Sequence, residues 1–497
     1  MAWLLNSLIF LNPKVLKNHP LSSFLIIGFT CTQFYFPLVF TTIEGKALIN
    51  NLEMPQQVFT HSMLSLLVLV LVHAIYRRAC YKTASTPSRG PADLKNHYFF
   101  LPAPDMQIWL MGILGLVAMF CSSFILKAGG NTEVGIGGKI IEGFISFTYA
   151  PFFIPFGKLY GKKKMPGRSL AVKLLIFTVI LFIISIGRNS RGAFMVGFTS
   201  LGFAFGLGLM LGIIKTRLFT LRNAVILFFG IWLLTGPFSD LGTAMVLVRY
   251  QRDDIPKSEL VGLTLEAYKD KKAIEQYLLN TKTRKTDWDE SYLDNIFLAR
   301  FCNIKFNDIS ISLASQIEDD NYNMRDFTIN RIWAIFPQPL LNVLKPNFDK
   351  NEVVEMSFGD YLRYQVSKSP VLLGSYVSGN FSGTGMAAFG WWYLLILGIA
   401  MFPAYFLIDL LHVKNYVSVL PSVQMNSVQR RFSLCALLNL TSTFQFLPAE
   451  SVANVIQFLL RGWLQMIVLY FVLFYVTKMI SNLLDPIAHF FNPKTLS

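Results

Sequence analysis

The chain has 497 residues, 53% hydrophobic and only 15% charged, with 45 Phe, a mean hydropathy of +0.47 and a formal net charge of +15. Soluble globular chains carry about a quarter charged residues, whereas here apolar runs of about 20 residues, the length a bilayer-spanning helix needs, recur from end to end. The arithmetic excludes a soluble enzyme, a secreted disulfide scaffold and a disordered protein, and predicts an all-α polytopic membrane protein.

In chain order, the short apolar stretch Trp3–Leu11 runs into Asn12-Pro13-Lys14 without a small-residue cleavage pattern. It reads as an interfacial helix and not as a signal peptide. Apolar runs then predict about ten spans, near 21–43, 59–76, 107–127, 139–157, 169–187, 192–214, 223–241, 387–410, 432–448 and 453–482. Basic residues orient them. Arg77, Arg78, Lys82, Arg89 and Lys95 follow the second span, and Lys158, Lys162, Lys163, Lys164 and Arg168 follow the fourth. Lys215, Arg217 and Arg222 follow the sixth, and Lys414, Arg430 and Arg431 the eighth. These are alternate loops, so all can be cytoplasmic at once, which places both termini on the cytoplasmic side. The same rule accounts for the positive charge without a nucleic-acid partner. Cys31, Cys80, Cys121, Cys302 and Cys435 are scattered, and predict neither a disulfide framework nor a metal site.

This orientation leaves residues 242–386 outside the cytoplasm, between a transmembrane bundle of about seven spans (1–241) and one of about three (387–497). Through residue 385 the segment holds 17 Lys/Arg and 19 Asp/Glu, nearly neutral where the rest is basic. Helix-like stretches lie at 257–280, 289–301, 308–317, 326–335 and 359–368, between prolines 256, 337, 339, 346 and 370. A loop this long is usually functional; it is expected to form a mostly helical extracytoplasmic cap. The returning stretch Gly374–Gly385 is either a flexible connection or a loop whose small residues admit a substrate to the backbone. No inverted repeat of the transporter type is apparent.

The stretch Ile184–Phe194 places Arg188 and Arg191 in a tight hairpin on the outer face, against the trend that orients every other loop. Unpaired charge is costly at a membrane boundary, and a planar guanidinium suits bidentate contact with phosphate. Snorkelling to lipid headgroups is the alternative use. Asp240, Arg249, Arg252, Asp253, Asp254 and Glu142 lie at the same level, and Arg461 lies about two turns inside the tenth span, beyond Glu450. A structural ion pair of Arg461 with Glu142 or Glu450 is the plainer reading. Arginines with a few carboxylates suit a pyrophosphate leaving group and a general base for an attacking hydroxyl. Asp253, Asp254 and Glu142 are the candidate bases. Adjacent Asp253 and Asp254 point apart and have no third carboxylate at useful spacing, so no metal is expected. His61 and His73 are about 18 Å apart along one helix and cannot share an ion. Neither nucleotide-binding nor nucleophile-elbow motifs occur, so no cofactor is expected, and a lipid-linked donor fits better than a soluble nucleotide sugar.

The layout resembles the bacterial oligosaccharide repeat-unit polymerases, of which the O-antigen polymerases are best known. Ser190-Arg191-Gly192 is similar to their mid-chain motif at an outer helix end, and Gly379-Asn380-Phe381 with Phe389-Gly390-Trp391-Trp392 to their return into the membrane. Arg191…Gly202 and Arg363…Gly374 match the spacing of an Arg-x10-Gly motif that some members use, although Gly202 falls inside a span. The resemblance implies a glycosyltransferase that joins repeat units carried on undecaprenyl pyrophosphate, without metal or nucleotide. A flippase and a chain-length regulator are the partners this implies. On that reading Arg188 and Arg191 clamp pyrophosphate, helped by Arg249, Arg252 or Arg461. Arg300, Arg331 and Arg363 hold the glycan or the second lipid's phosphates, and Trp288, Tyr292, Trp333 and Tyr364 stack on sugars or pack the cap. Two other readings stay open: a glycan ligase, whose family has a functional His that the large loop here lacks, and a transporter or flippase. The polymer itself, whether O-antigen, capsule or exopolysaccharide, is not encoded in these features.

Overall fold

A computed structural model describes residues 2–84, 99–126, 136–162, 167, 169–216, 220–251, 255–283, 293, 295–317, 321–345, 348–373, 377–418, 426–446 and 449–491. The described residues are 81% helical, and the sheet among them is one two-stranded hairpin. Among the described residues, eight helices are long and apolar enough to cross a membrane: Pro20–Ile43, Pro55–Cys80, Asp105–Ile125, Gly137–Tyr160, Leu170–Gly187, Gly192–Met210, Phe381–Asp409 and Val452–Leu484. On Leu170–Gly187, Val172, Leu175, Ile176, Val179 and Ile183 are each at least half exposed. A helix apolar on its outer face is built for lipid, and the protein is an all-helical, multi-pass membrane protein.

Ten spans were expected. The seventh is broken by Gly236-Pro237 into Leu221–Thr235 and Pro237–Leu247, 15 and 11 residues long, because proline has no N–H and collides with the preceding turn. The ninth divides into the five-residue helices Leu434–Leu438 and Leu440–Phe444. Pro151 and Pro155 likewise keep Ile145–Tyr160 in 3₁₀ form.

Contacts divide the chain into two compact units: Met1–Pro87, Leu278–Leu410 and Ser442–Gln465, and Ser88–Tyr277, Leu411–Thr441 and Met466–Ser497. In the first unit Pro20 and Pro55 open their helices, where a missing N–H costs nothing. The helix N-terminus at Pro55 is fixed by Asp308, fully buried, whose carboxylate accepts the Glu53 N–H at 2.9 and 3.0 Å and the Met54 N–H at 2.9 Å. Buried Lys305 donates to the same carboxylate at 3.2 Å and to the Asn51 carbonyl at 2.8 Å. Helices Ile304–Ala314, Tyr322–Trp333 and Phe358–Ser367 gather at the end of the bundle where Pro55–Cys80 and Phe381–Asp409 begin. The expected 257–280 helix is two, Lys257–Lys269 and Lys271–Thr283.

The described part of the stretch before the membrane, from 377, is not a flexible return. Asn380 caps Phe381–Phe389 by accepting the Ser382 N–H at 3.0 Å, and this helix is buried almost throughout. A Cβ on Gly383 would fall 2.3 Å from the Ser310 carbonyl. The small residues admit a neighbouring helix to the backbone.

In the second unit Met119, Tyr149, Phe152, Phe177, Leu181 and Ala193 form a core. The hairpin His412–Ser418 with Asn426–Phe432 was not foreseen. Its β-branched and aromatic residues Val413, Tyr416, Val417, Val428 and Phe432 are the signal that could have found it.

Candidate functional site

The sequence-derived arginines and carboxylates fall in both units, and each unit stands by itself. In the first, the helix Phe358–Ser367 opens with a capping box: the Asp360 N–H donates to Ser357 Oγ at 3.0 Å, and the Asp360 carboxylate accepts the Ser357 N–H. Ser357 Oγ donates to the Val377 carbonyl at 2.7 Å, and Asp360 Oδ1 accepts the Val377 N–H at 2.9 Å. Gly359 is required between them, since its Cβ would lie 2.3 Å from that carbonyl. The helix start is thereby pinned to the segment that leads into the next span.

The N–H of Phe358, at that helix start, donates to Glu450 Oε2 at 3.1 Å. A second pair of bonds fixes the Glu450 backbone: Phe381 N–H to the Ala449 carbonyl at 2.9 Å and Thr384 Oγ1 to the Glu450 carbonyl at 2.6 Å. Arg331 Nη1 donates to the carbonyls of Val353 and Val354 at 3.0 and 3.1 Å, and its guanidinium lies 5.4 Å from the Phe358 ring centroid. Burial pushes the Glu450 carboxyl above the usual carboxylate range. The Phe358 N–H and the Arg331 charge oppose that rise, and Asp360 adds to it. Burial also lowers the Arg331 guanidinium, and Glu450 opposes that shift in turn. Burial is the first cause for both partners, so the pair is costly to ionise and each partner steadies the other.

Around this pair, Phe327 stacks on Tyr361 at 4.0 Å and 9°, and Tyr361 meets Tyr364 at 6.0 Å. Arg363 is half-buried, and its Nε has no hydrogen-bond partner. The result is a carboxyl raised by burial, Arg331 and an aromatic platform at one end of the bundle, with Arg363 on the helix that Phe358 opens. From the sequence, Glu450 is only a candidate ion-pair partner for Arg461. Instead Arg461 is exposed on a π-turn, and among the described residues no ion pair joins it to Glu450. Arg300 is exposed, and Trp333 packs on Phe336 at 5.9 Å.

In the second unit Arg188 caps the C-terminus of Leu170–Gly187. Asn189 turns the chain with φ +49°, a left-handed conformation that Asn tolerates, and its Nδ2 donates to the Met245 carbonyl at 3.0 Å. Ser190 precedes the helix Arg191–Met210, and Tyr149 OH donates to the Ala193 carbonyl at 2.6 Å. The side chain of Arg191 lies outside the described residues, as do Arg252, Asp253, Asp254, Trp288, Tyr292 and Gly374. Arg249 is exposed, and Asp240 is paired with Lys271 at 2.6 Å. Glu142 Oε1 accepts from Ser122 Oγ at 3.1 Å.

A further polar cluster lies at the other end of the first unit. Asp409 accepts from Ser22 Oγ at 2.7 Å, the Ser22 N–H at 3.0 Å and Tyr76 OH at 3.0 Å, and His19 Nδ1 lies 3.2 Å away. His73 Nε2 is 2.9 Å from Ser22 Oγ. This is not a nucleophilic triad, because the carboxylate contacts the serine directly and the histidine it touches, His19, is not His73 beside Ser22 Oγ. His61 is occupied separately, with Nδ1 2.9 Å from Tyr393 OH and its ring stacked on Trp391. No group of metal ligands occurs among the described residues.

No protein-family model matches the chain, and no curated protein or solved structure matches it either.

Proposed function

We propose that the protein is a glycan polymerase, a membrane glycosyltransferase joining lipid-linked oligosaccharide repeat units at the outer face of the bacterial inner membrane. The observation that carries this reading is the Glu450 carboxyl, raised by burial, bonded to a helix N–H and within the electrostatic reach of Arg331. A carboxyl poised in this way suits a general base. In the proposed reaction a hydroxyl at the non-reducing end of the acceptor unit loses its proton to Glu450 and attacks the anomeric carbon of the donor chain. The bond from that carbon to undecaprenyl pyrophosphate breaks as the glycosidic bond forms. Arg331 and Arg363 bind the anionic pyrophosphate, and neither metal nor nucleotide enters. The resemblance of Ser190-Arg191-Gly192 supports the same reaction class.

The test is a gel of surface and lipid-linked glycans from the source bacterium, with the gene deleted and then restored as wild type, Glu450→Gln, Arg331→Ala or Arg191→Ala. A ladder that collapses to single repeat units, rescued by wild type and not by Glu450→Gln, is the expected result. An unchanged ladder in the deletion refutes the proposal, and long lipid-linked chains with no surface glycan would mean a ligase. The buried Asp409 cluster favours a second reading, a transporter, because an ionisable group between spans is by default functional. That reading would show as lipid-linked units stranded on the cytoplasmic leaflet.

A further inference from the structure

Polar residues recur down one buried face of the span Pro55–Cys80: His61, Ser62, Ser65, His73 and Tyr76, none more than 5% exposed. Steps of three, four and eight residues keep them on one side of the helix, over about 22 Å of its length. Each such group costs free energy inside a membrane unless a neighbouring helix bonds it. Neighbours in the same unit do so level by level. Where Ile304–Ala314 packs, Ser62 Oγ donates to Gln33 Oε1 at 3.3 Å and accepts from Asn307 Nδ2 at 2.9 Å. Beside it His61 meets Tyr393 OH, which also faces Ser65. One turn before His73, the Leu69 carbonyl accepts from Tyr405 OH at 3.2 Å, and the Tyr405 ring stands edge-on to His73.

Below that lie Ser22 and Asp409, where the hydrogens can be counted. Asp409 accepts from the Ser22 N–H, the Ser22 hydroxyl and Tyr76 OH, a donor set that holds it as a carboxylate. Ser22 has one hydroxyl hydrogen, and it is given to Asp409 at 2.7 Å. The 2.9 Å contact between Ser22 Oγ and His73 Nε2 is therefore made by a hydrogen on Nε2. That leaves His73 Nδ1 bare, and it is buried with no hydrogen-bond partner. Arg77 and Cys80 are also within electrostatic reach of this pair, and His19 touches Asp409 from the first span's start.

We propose that this seam is a proton pathway through the first unit, with His73, Ser22 and Asp409 as its relay. His73 takes a proton at Nδ1; its Nε2 proton passes to Ser22 Oγ as the Ser22 hydroxyl proton passes to Asp409. One proton enters at Nδ1 and one leaves from the Asp409 carboxyl, which is 8% exposed and lies beside the more open His19. Reorientation of the imidazole between passages resets it. Buried water bonding Gln33 Nε2, Asn307 Oδ1 and His73 Nδ1, which no side chain satisfies, completes the line. The groups are packed too closely for a hydrated ion, whereas a proton passes between adjacent hydrogen-bonding groups. Intramembrane Asp and His in series are the parts of such relays. The pathway shares no residue with the Glu450 site, so either can fail alone.

The experiment reconstitutes the full chain in liposomes that hold the pH dye pyranine, and valinomycin on a potassium gradient makes the lumen negative. Wild type is expected to acidify the lumen faster than protein-free liposomes do, while a sodium tracer stays outside. Its rate is expected to fall in deuterated buffer, a dependence that a purely structural role does not give. Ser22→Ala removes a single oxygen from the relay and is expected to return the rate to that of protein-free liposomes. Asp409→Asn, of the same shape, and His73→Phe are expected to do the same, and an unchanged unfolding temperature shows which variants fold. No acidification by wild type overturns the inference, as does a folded Ser22→Ala that matches the wild-type rate. Sodium entering alongside the protons would show an ion pore and overturn the assignment to a proton relay.

Discussion

Replacing Asp308 by Asn keeps the shape of a fully buried side chain and removes its charge. Lys305, 7% exposed, then keeps only the Asn51 carbonyl, and the new amide N–H₂ must face either the Lys305 ammonium or the backbone N–H groups of Glu53 and Met54. Breaking one side of a buried ion pair costs about 3–5 kcal/mol, because the remaining charge is stranded. Lys305→Met keeps the aliphatic stem and leaves Asp308 its two backbone donors. It takes one donor from the Asn51 carbonyl and removes the ammonium from the carboxylate, at about 1–3 kcal/mol. The double variant strands no charge, so its loss should fall short of the summed single losses by about 1–3 kcal/mol. Reversible unfolding by SDS in mixed micelles, followed by tryptophan fluorescence, measures all three. Additive losses, or an Asp308→Asn variant within about 0.5 kcal/mol of wild type, would refute the claim that this pair fixes the start of the second span.

Glu450 should set the acid limb of the pH–rate profile for polymerisation, with its midpoint above the usual carboxylate range. Arg331→Gln removes a charge that lowers the Glu450 pKa and should move that limb to higher pH; a limb that stays put refutes the coupling. A carboxyl raised by folding favours the protonated state, so its stability penalty is absent below the unfolded-state pKa and complete above the folded one. Glu450→Gln should therefore abolish activity while matching or exceeding the wild-type unfolding temperature at neutral pH, with the gain fading in acid. Gly383→Ala drives a methyl into the Ser310 backbone and should destabilise by about 1–3 kcal/mol or more. Gly202→Ala, with open space at its Cβ, should be neutral or stabilising by up to about 1 kcal/mol. If Gly202→Ala instead abolishes polymerisation at normal stability, the Arg-x10-Gly spacing has a role beyond packing.

Most of the span positions were legible because lipid demands long apolar helices, and Pro20, Pro55 and Asn380 mark helix starts by local chemistry. The interruptions were less so. Gly236-Pro237 lies inside an apolar run whose composition alone reads as continuous. Arg331 and Arg363 could be picked out as arginines of the large loop, but Glu450 could not be matched to them. Its partner Phe358 is 92 residues away, and only the fold brings that N–H to the carboxylate. Asp308 was likewise hidden: nothing near it announces that it caps a helix starting more than 250 residues earlier.

The interleaving of the two units bears on how the chain is made. The first unit draws on residues up to Pro87 and again on Ser442–Gln465, so it cannot close until the ribosome has added some 355 residues after its first segment. At about 5–20 residues per second that is roughly 20–70 s. Throughout that interval Ser22, Gln33 and His73, all buried in the finished protein, wait in the membrane without their full set of neighbours. The interval is a window in which an insertase or chaperone that shields polar side chains within the bilayer would determine the yield of folded protein.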